Sequence, residues 1–67
     1  MEVGDIVRYT GARENSYRKK GCLYRIFIYE GGRSYRLVPL ANTWPSGRSY
    51  RNNGDGIIVS VRDMEPI

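Results

Sequence analysis

A chain of 67 residues has room for one domain with one small core, and its net stability after chain entropy is only a few kcal/mol. A single cysteine, Cys22, and the absence of histidine exclude an internal disulfide and a Cys/His zinc site, so packing or a partner must replace those staples. The formal net charge is +4, but ten of the eleven Lys/Arg residues lie between Arg8 and Arg51 against only Glu14 and Glu30, whereas the ends carry Arg62 and five acids.

That asymmetry makes the middle basic and the ends acidic. If the termini meet, as in a closed small barrel, the molecule is electrically polarised and steers an anionic partner to one side. The opening stretch, MEVGDIV, has no basic region followed by an apolar run, and no apolar run approaches the roughly 18 residues of a membrane span. The expectation is a soluble, cytoplasmic protein with no membrane partner.

No stretch sustains a helical period, and eight glycines and three prolines punctuate the chain at a spacing suited to short strands and turns. Strands are expected over residues 2–10, 21–29, 33–40, 48–51 and 56–61, with MEPI closing the end. Loops over residues 11–20 and 41–47 separate them, and neither is low-complexity. All of this belongs to a single domain spanning residues 1–67.

The central hairpin sets a testable register. With Gly31 and Gly32 as a two-residue turn, Ile28 faces Tyr35, Ile26 faces Leu37, Tyr24 faces Pro39 and Glu30 meets Arg33. The opposite face then carries Arg25, Phe27, Tyr29, Arg36 and Val38, with Phe27 across from Arg36 in cation–π range. A one-residue slip would mix these two sets.

The pentapeptide GRSYR occurs twice, at Gly32 to Arg36 and at Gly47 to Arg51. A turn over residues 52–56 would bring Tyr50 against Ile57, Val59 and Val61, so the tyrosine of each copy points inward. The repeat then reads as turn-flanking β sequence, with a duplicated ligand contact as the alternative. The predicted core is Val7, Tyr9, Tyr24, Ile26, Ile28, Tyr35, Leu37, Ile57, Val59 and Val61.

Two segments carry a likeness to a known group. VGDIVRYTG at Val3 to Gly11 resembles the first strand of the Src-homology-3-like small barrels, which include Tudor and KOW domains, and VRDMEPI at Val61 to Ile67 resembles their closing turn and last strand. The resemblance implies an all-β fold, a five-stranded, strongly bent antiparallel small barrel. The alternating glycines of a KOW motif and the acid-rich loop of peptide-binding Src-homology-3 domains are absent, so the likeness carries no function.

Three surface features are candidates for binding. The loop GARENSYRKKG sets Arg13, Arg18, Lys19 and Lys20 around Tyr17, the mix of cation and ring that single-stranded nucleic acid uses; the plain alternative is a solvated loop. The face of Arg25, Phe27, Tyr29 and Arg36 is either a recognition platform or barrel surface covered by loops. Trp44, beside Pro45, is either an interface anchor or a lid on the core.

Catalysis has little to work with. Asp5, Asp55, Asp63 and Glu65 fall in no recognisable acid–base spacing, NNGDG reads as a turn, and Cys22 reads as a packing residue. The sequence therefore points away from an enzyme and calls for no cofactor and no metal. What remains is a binding module. Its partner is nucleic acid, single-stranded favoured, or an acidic protein surface; arginine outnumbers lysine nine to two, and because arginine both pairs with phosphate and stacks, that excess tips the balance to nucleic acid. The second alternative describes a small phage or mobile-element accessory or inhibitory protein that docks on a host protein.

Overall fold

The computed structural model describes residues 1–50 and 56–67. It contains β1 (Ile6–Tyr9), β2 (Leu23–Gly31), β3 (Ser34–Pro39), β4 (Ile57–Ser60), a 3-10 turn (Val61–Asp63) and β5 (Met64–Pro66). All strand pairs are antiparallel in one sheet, ordered β4-β3-β2-β1-β5. The all-β, five-stranded class expected from the sequence is thus present, although the fifth strand is the MEP segment. Residues 48–50 form no strand; Ser49 makes one isolated bridge to Thr43. The expected turn over residues 52–56 falls almost wholly outside the described residues, as does Arg51.

Alternation of side chains builds the core. In β1 Val7 and Tyr9 point inward between exposed Ile6 and Arg8, and in β4 Ile57 and Val59 flank exposed Ile58. These residues join Tyr24, Ile26, Leu37 and Met64 in one buried cluster, capped by Trp44. Because the edge strands β4 and β5 both deliver side chains to the same cluster, the sheet must curl around it. It does not close into a hydrogen-bonded barrel, since β4 and β5 remain at opposite edges.

Both edges are blunted. The Nη2 of Arg18 donates to the Ile58 carbonyl of β4 at 3.0 Å, and β5 is three residues long and contains Pro66, which lacks an N–H. The C-terminus lies along this second edge, where the Ile67 N–H bonds the Ile6 carbonyl and Arg8 pairs with Glu65 at 3.0 Å, whereas Met1 lies by Tyr35 of β3, whose hydroxyl donates to the Met1 carbonyl at 3.4 Å. Among the described residues no helix is long and apolar enough to cross a membrane.

The hairpin register agrees with expectation for half its length and then shifts. Tyr24 pairs with Pro39 and Ile26 with Leu37, but Ile28 pairs with Arg36, Tyr29 with Tyr35 and Gly31 with Ser34. Phe27 and Glu30 are the extra residues of two bulges, and the turn moves to Gly32 and Arg33. The first bulge exchanges the faces of the residues that follow it. Ile28 is therefore 42% exposed and not in the core, while Tyr29 lies beside Tyr35 with ring centroids 5.2 Å apart. Tyr35 and Val61 are half-buried against the core, and Met64 and Trp44 are buried members of it.

Candidate functional site

The ten residues singled out for binding do not form one surface. Arg13, Tyr17, Arg18, Lys19 and Lys20 sit on the β1–β2 loop, and that loop is fastened from below by two core tyrosines. The Tyr9 hydroxyl donates to the Arg13 carbonyl at 2.6 Å, and the Tyr24 hydroxyl donates to the Tyr17 carbonyl at 2.7 Å while accepting from the Lys19 N–H at 3.3 Å. Gly11 makes the first contact possible, because a Cβ there would lie 2.7 Å from Tyr9 Cζ.

Within the loop, Asn15 Oδ1 accepts from the N–H groups of Tyr17 and Arg18, and Glu14 Oε1 accepts from the Lys20 N–H. Backbone polar groups that would otherwise be loose are thus paired, while the charged ends of Arg13, Lys19 and Lys20 point to no carboxylate among the described residues. Arg18 is the exception in this set, since its guanidinium is spent on the β4 edge. Burial raises the Tyr24 pKa above its ordinary value near 10, the Lys19 hydrogen bond opposing in part, so the hydroxyl stays a donor at neutral pH.

The hairpin platform is not assembled as expected. Arg25 is exposed on the outer face between Ile6 and Val38, and Phe27 is half-buried at its bulge. Tyr29 has turned to the side of Tyr35 and donates to the Gly32 carbonyl at 2.7 Å. Arg36 faces Ile28 on one side and Ile58 on the other, and its Nε pairs with Glu30 Oε2 at 2.6 Å. The expected register of Phe27 against Arg36 is overturned by the bulge, and the four residues do not make a continuous stacking face.

Trp44 is a lid. It is 6% exposed and meets Tyr17 and Tyr50 edge to face, with centroids 5.1 and 5.8 Å apart. The loop holding it is tied to the basic loop, because the Ser46 N–H bonds the Ser16 carbonyl at 3.3 Å. Between the two loops lie two hollows that share Tyr17 and Arg48, the latter part of the repeated pentapeptide but not among the ten binding candidates. One, of about 640 Å³, is lined by Trp44, Tyr50, Gly56 and Ile57; the other, of about 400 Å³, by Ser16 and Ser46.

Cys22 is a free, half-buried thiol packed against the core. Among the described residues no group of three or more Cys, Asp or Glu side chains is placed to hold a metal. No protein-family model matches the chain, and neither a curated protein nor a solved structure matches it.

Proposed function

We propose that the protein is a non-catalytic binding module that contacts single-stranded nucleic acid through the cations of its β1–β2 loop. The observation that carries this reading is the fastening of that loop: its backbone is hydrogen-bonded to Tyr9, Tyr24, Asn15 and Glu14, so Arg13, Lys19 and Lys20 are presented without a large ordering cost on binding. Exposed cations without carboxylate partners among the described residues are available to replace condensed counterions on a phosphate backbone.

The test is a salt series with a labelled oligothymidylate. Affinity should fall steeply with salt, and replacing Arg13, Lys19 and Lys20 with alanine should flatten the slope by about two units, near 0.7 per cation for single strands. No binding even at about 20 mM salt, where phosphate contacts are strongest, would remove the reading.

A protein partner is the second reading, and the outer sheet face favours it. Ile6 and Val38 flank exposed Arg25, Ile28 and Ile58 are exposed in the neighbouring row, and such a mix of arginine and aliphatic surface suits an acidic protein better than a phosphate chain. Its signature is binding concentrated in a few anchors, with Ile58→Ala costing more than the loop triple substitution.

A further inference from the structure

The paired hollows between the two loops have a division of chemistry that neither loop has alone. Tyr17 and Arg48 stand at their junction. On one side Trp44, Tyr50 and Ile57 supply aromatic and aliphatic walls with Ser49 among them; on the other the walls are Ser16 and Ser46. The larger hollow is of a size typical for small-molecule sites. A ligand suited to both sets a ring with hydrogen-bonding edges at the aromatic end and an anionic group at the serine-lined end, with the Arg48 cation at the joint.

We infer that this junction is a nucleotide subsite, taking a base against Tyr17 in the aromatic hollow and the attached phosphate against Arg48 in the serine-lined one. The inference deepens the nucleic-acid reading and rests on it. Three features support the assignment. Tyr17 keeps 37% of its surface exposed although its ring packs on Trp44, so the ring is both held in place and open to a further contact. Arg48 is exposed and has no carboxylate partner among the described residues, leaving its planar guanidinium for phosphate. The loop that supplies Ser16 and Tyr17 also carries the cations Arg13, Lys19 and Lys20.

A buried phenol adds a second sign of incomplete pairing. The Tyr50 hydroxyl is out of reach of water and has no hydrogen-bond partner among the described residues, a costly state for a polar group behind a groove wall. It is not a contact in the subsite as it stands. It does mark the wall formed by Tyr50 as one with a reason to move when a ligand with hydrogen-bonding edges arrives.

Trp44 reports on the site directly, because it is the single tryptophan of the chain and touches both tyrosines. The experiment follows its emission during titration with oligothymidylate, with thymidine 5′-monophosphate and with thymidine, while a labelled oligothymidylate measures overall binding by anisotropy. Emission should change with the oligonucleotide, and with the monophosphate at higher concentration, whereas thymidine should act more weakly for want of a phosphate. A response to the monophosphate as strong as to the oligonucleotide assigns the same chemistry to a free nucleotide.

Two variants sharpen the outcome. Tyr17→Leu keeps an apolar contact on Trp44 but removes the stacking ring and should weaken oligonucleotide binding by roughly tenfold or more. Arg48→Gln, on an exposed side chain, leaves the fold untouched and should weaken both oligonucleotide and monophosphate several-fold. If the oligonucleotide binds while Trp44 emission is constant and both variants match the parent, the subsite is wrong and the basic-loop reading stands. If no oligonucleotide binds, both fall together.

Discussion

Replacing Tyr24 with phenylalanine removes one oxygen atom from the centre of the account. That hydroxyl donates to the Tyr17 carbonyl at 2.7 Å and accepts from the Lys19 N–H at 3.3 Å, and with the Tyr9 hydroxyl it links the buried core to the basic loop. The ring of Tyr24, edge-on to Tyr9, is retained, so no cavity forms. One short bond and one long one are lost, at a net cost of about 0.5–1.5 kcal/mol for an ordinary hydrogen bond, giving about 1–2 kcal/mol in all. In a domain of this size that lowers Tm by roughly 4–16 °C.

The functional consequence is separable from the stability loss. An unfastened loop still carries the same cations, so oligonucleotide affinity should fall several-fold while the salt slope is unchanged, because the number of phosphates neutralised stays the same. Thermal unfolding by circular dichroism and amide exchange across residues 13–20 read the two effects. A Tm within about 2 °C of the parent, or loop amides exchanging no faster, would show that Tyr24 does not hold the loop.

Ile26→Ala should cost about 2–5 kcal/mol, enough to unfold so small a domain, and Ile26→Val about 0.5–1.5 kcal/mol by urea titration; equal, small effects would contradict its place in the core. Arg18→Ala frees the Ile58 carbonyl on the edge strand and should produce concentration-dependent association in sedimentation velocity, whereas a variant that sediments as the parent does at every concentration would refute edge capping. Because the folded-state pKa of Tyr24 is raised above its unfolded value, the folded form holds the proton longer, and its contribution is fully present below about pH 10 and lost as pH climbs through the folded pKa. Stability should accordingly fall above about pH 10, and Tyr24→Phe should show a shallower alkaline decline.

The parts of the fold that were legible in the sequence were those fixed by alternation. Val7 and Tyr9, Tyr24 and Ile26, Ile57 and Val59 each stand two apart on a strand, and all six are buried. The inward tyrosine of the first pentapeptide copy was legible for the same reason, since Tyr35 stands two from Leu37 on β3; Tyr50 also packs against the core, but from a segment that forms no strand. Bulges were not. Phe27 continues an apolar run, so nothing in LYRIFIYEG distinguishes the extra residue from its neighbours, and the pattern reads equally well with the turn one residue earlier.

The site was legible only as a composition. Arg13, Lys19 and Lys20 around Tyr17 could be read from the loop, but the docking of Arg18 on a strand far along the chain depends on how the sheet curls. Arg48 stood out least, because its relation to Tyr17 exists only once the two loops are laid side by side. For Trp44 the sequence leaned to a lid over an interface anchor, and the contacts with Tyr17 and Tyr50 are those of a lid.

The most direct test of the central claim is amide and indole shift mapping of the isotope-labelled protein during titration with oligothymidylate at low salt. The account predicts the largest changes over residues 13–20, at Arg48 and at the Trp44 indole, with the outer-face residues Ile28 and Ile58 unmoved. Changes confined to Ile6, Ile28, Ile58 and their neighbours, or a spectrum unaltered at saturating oligonucleotide, would contradict it.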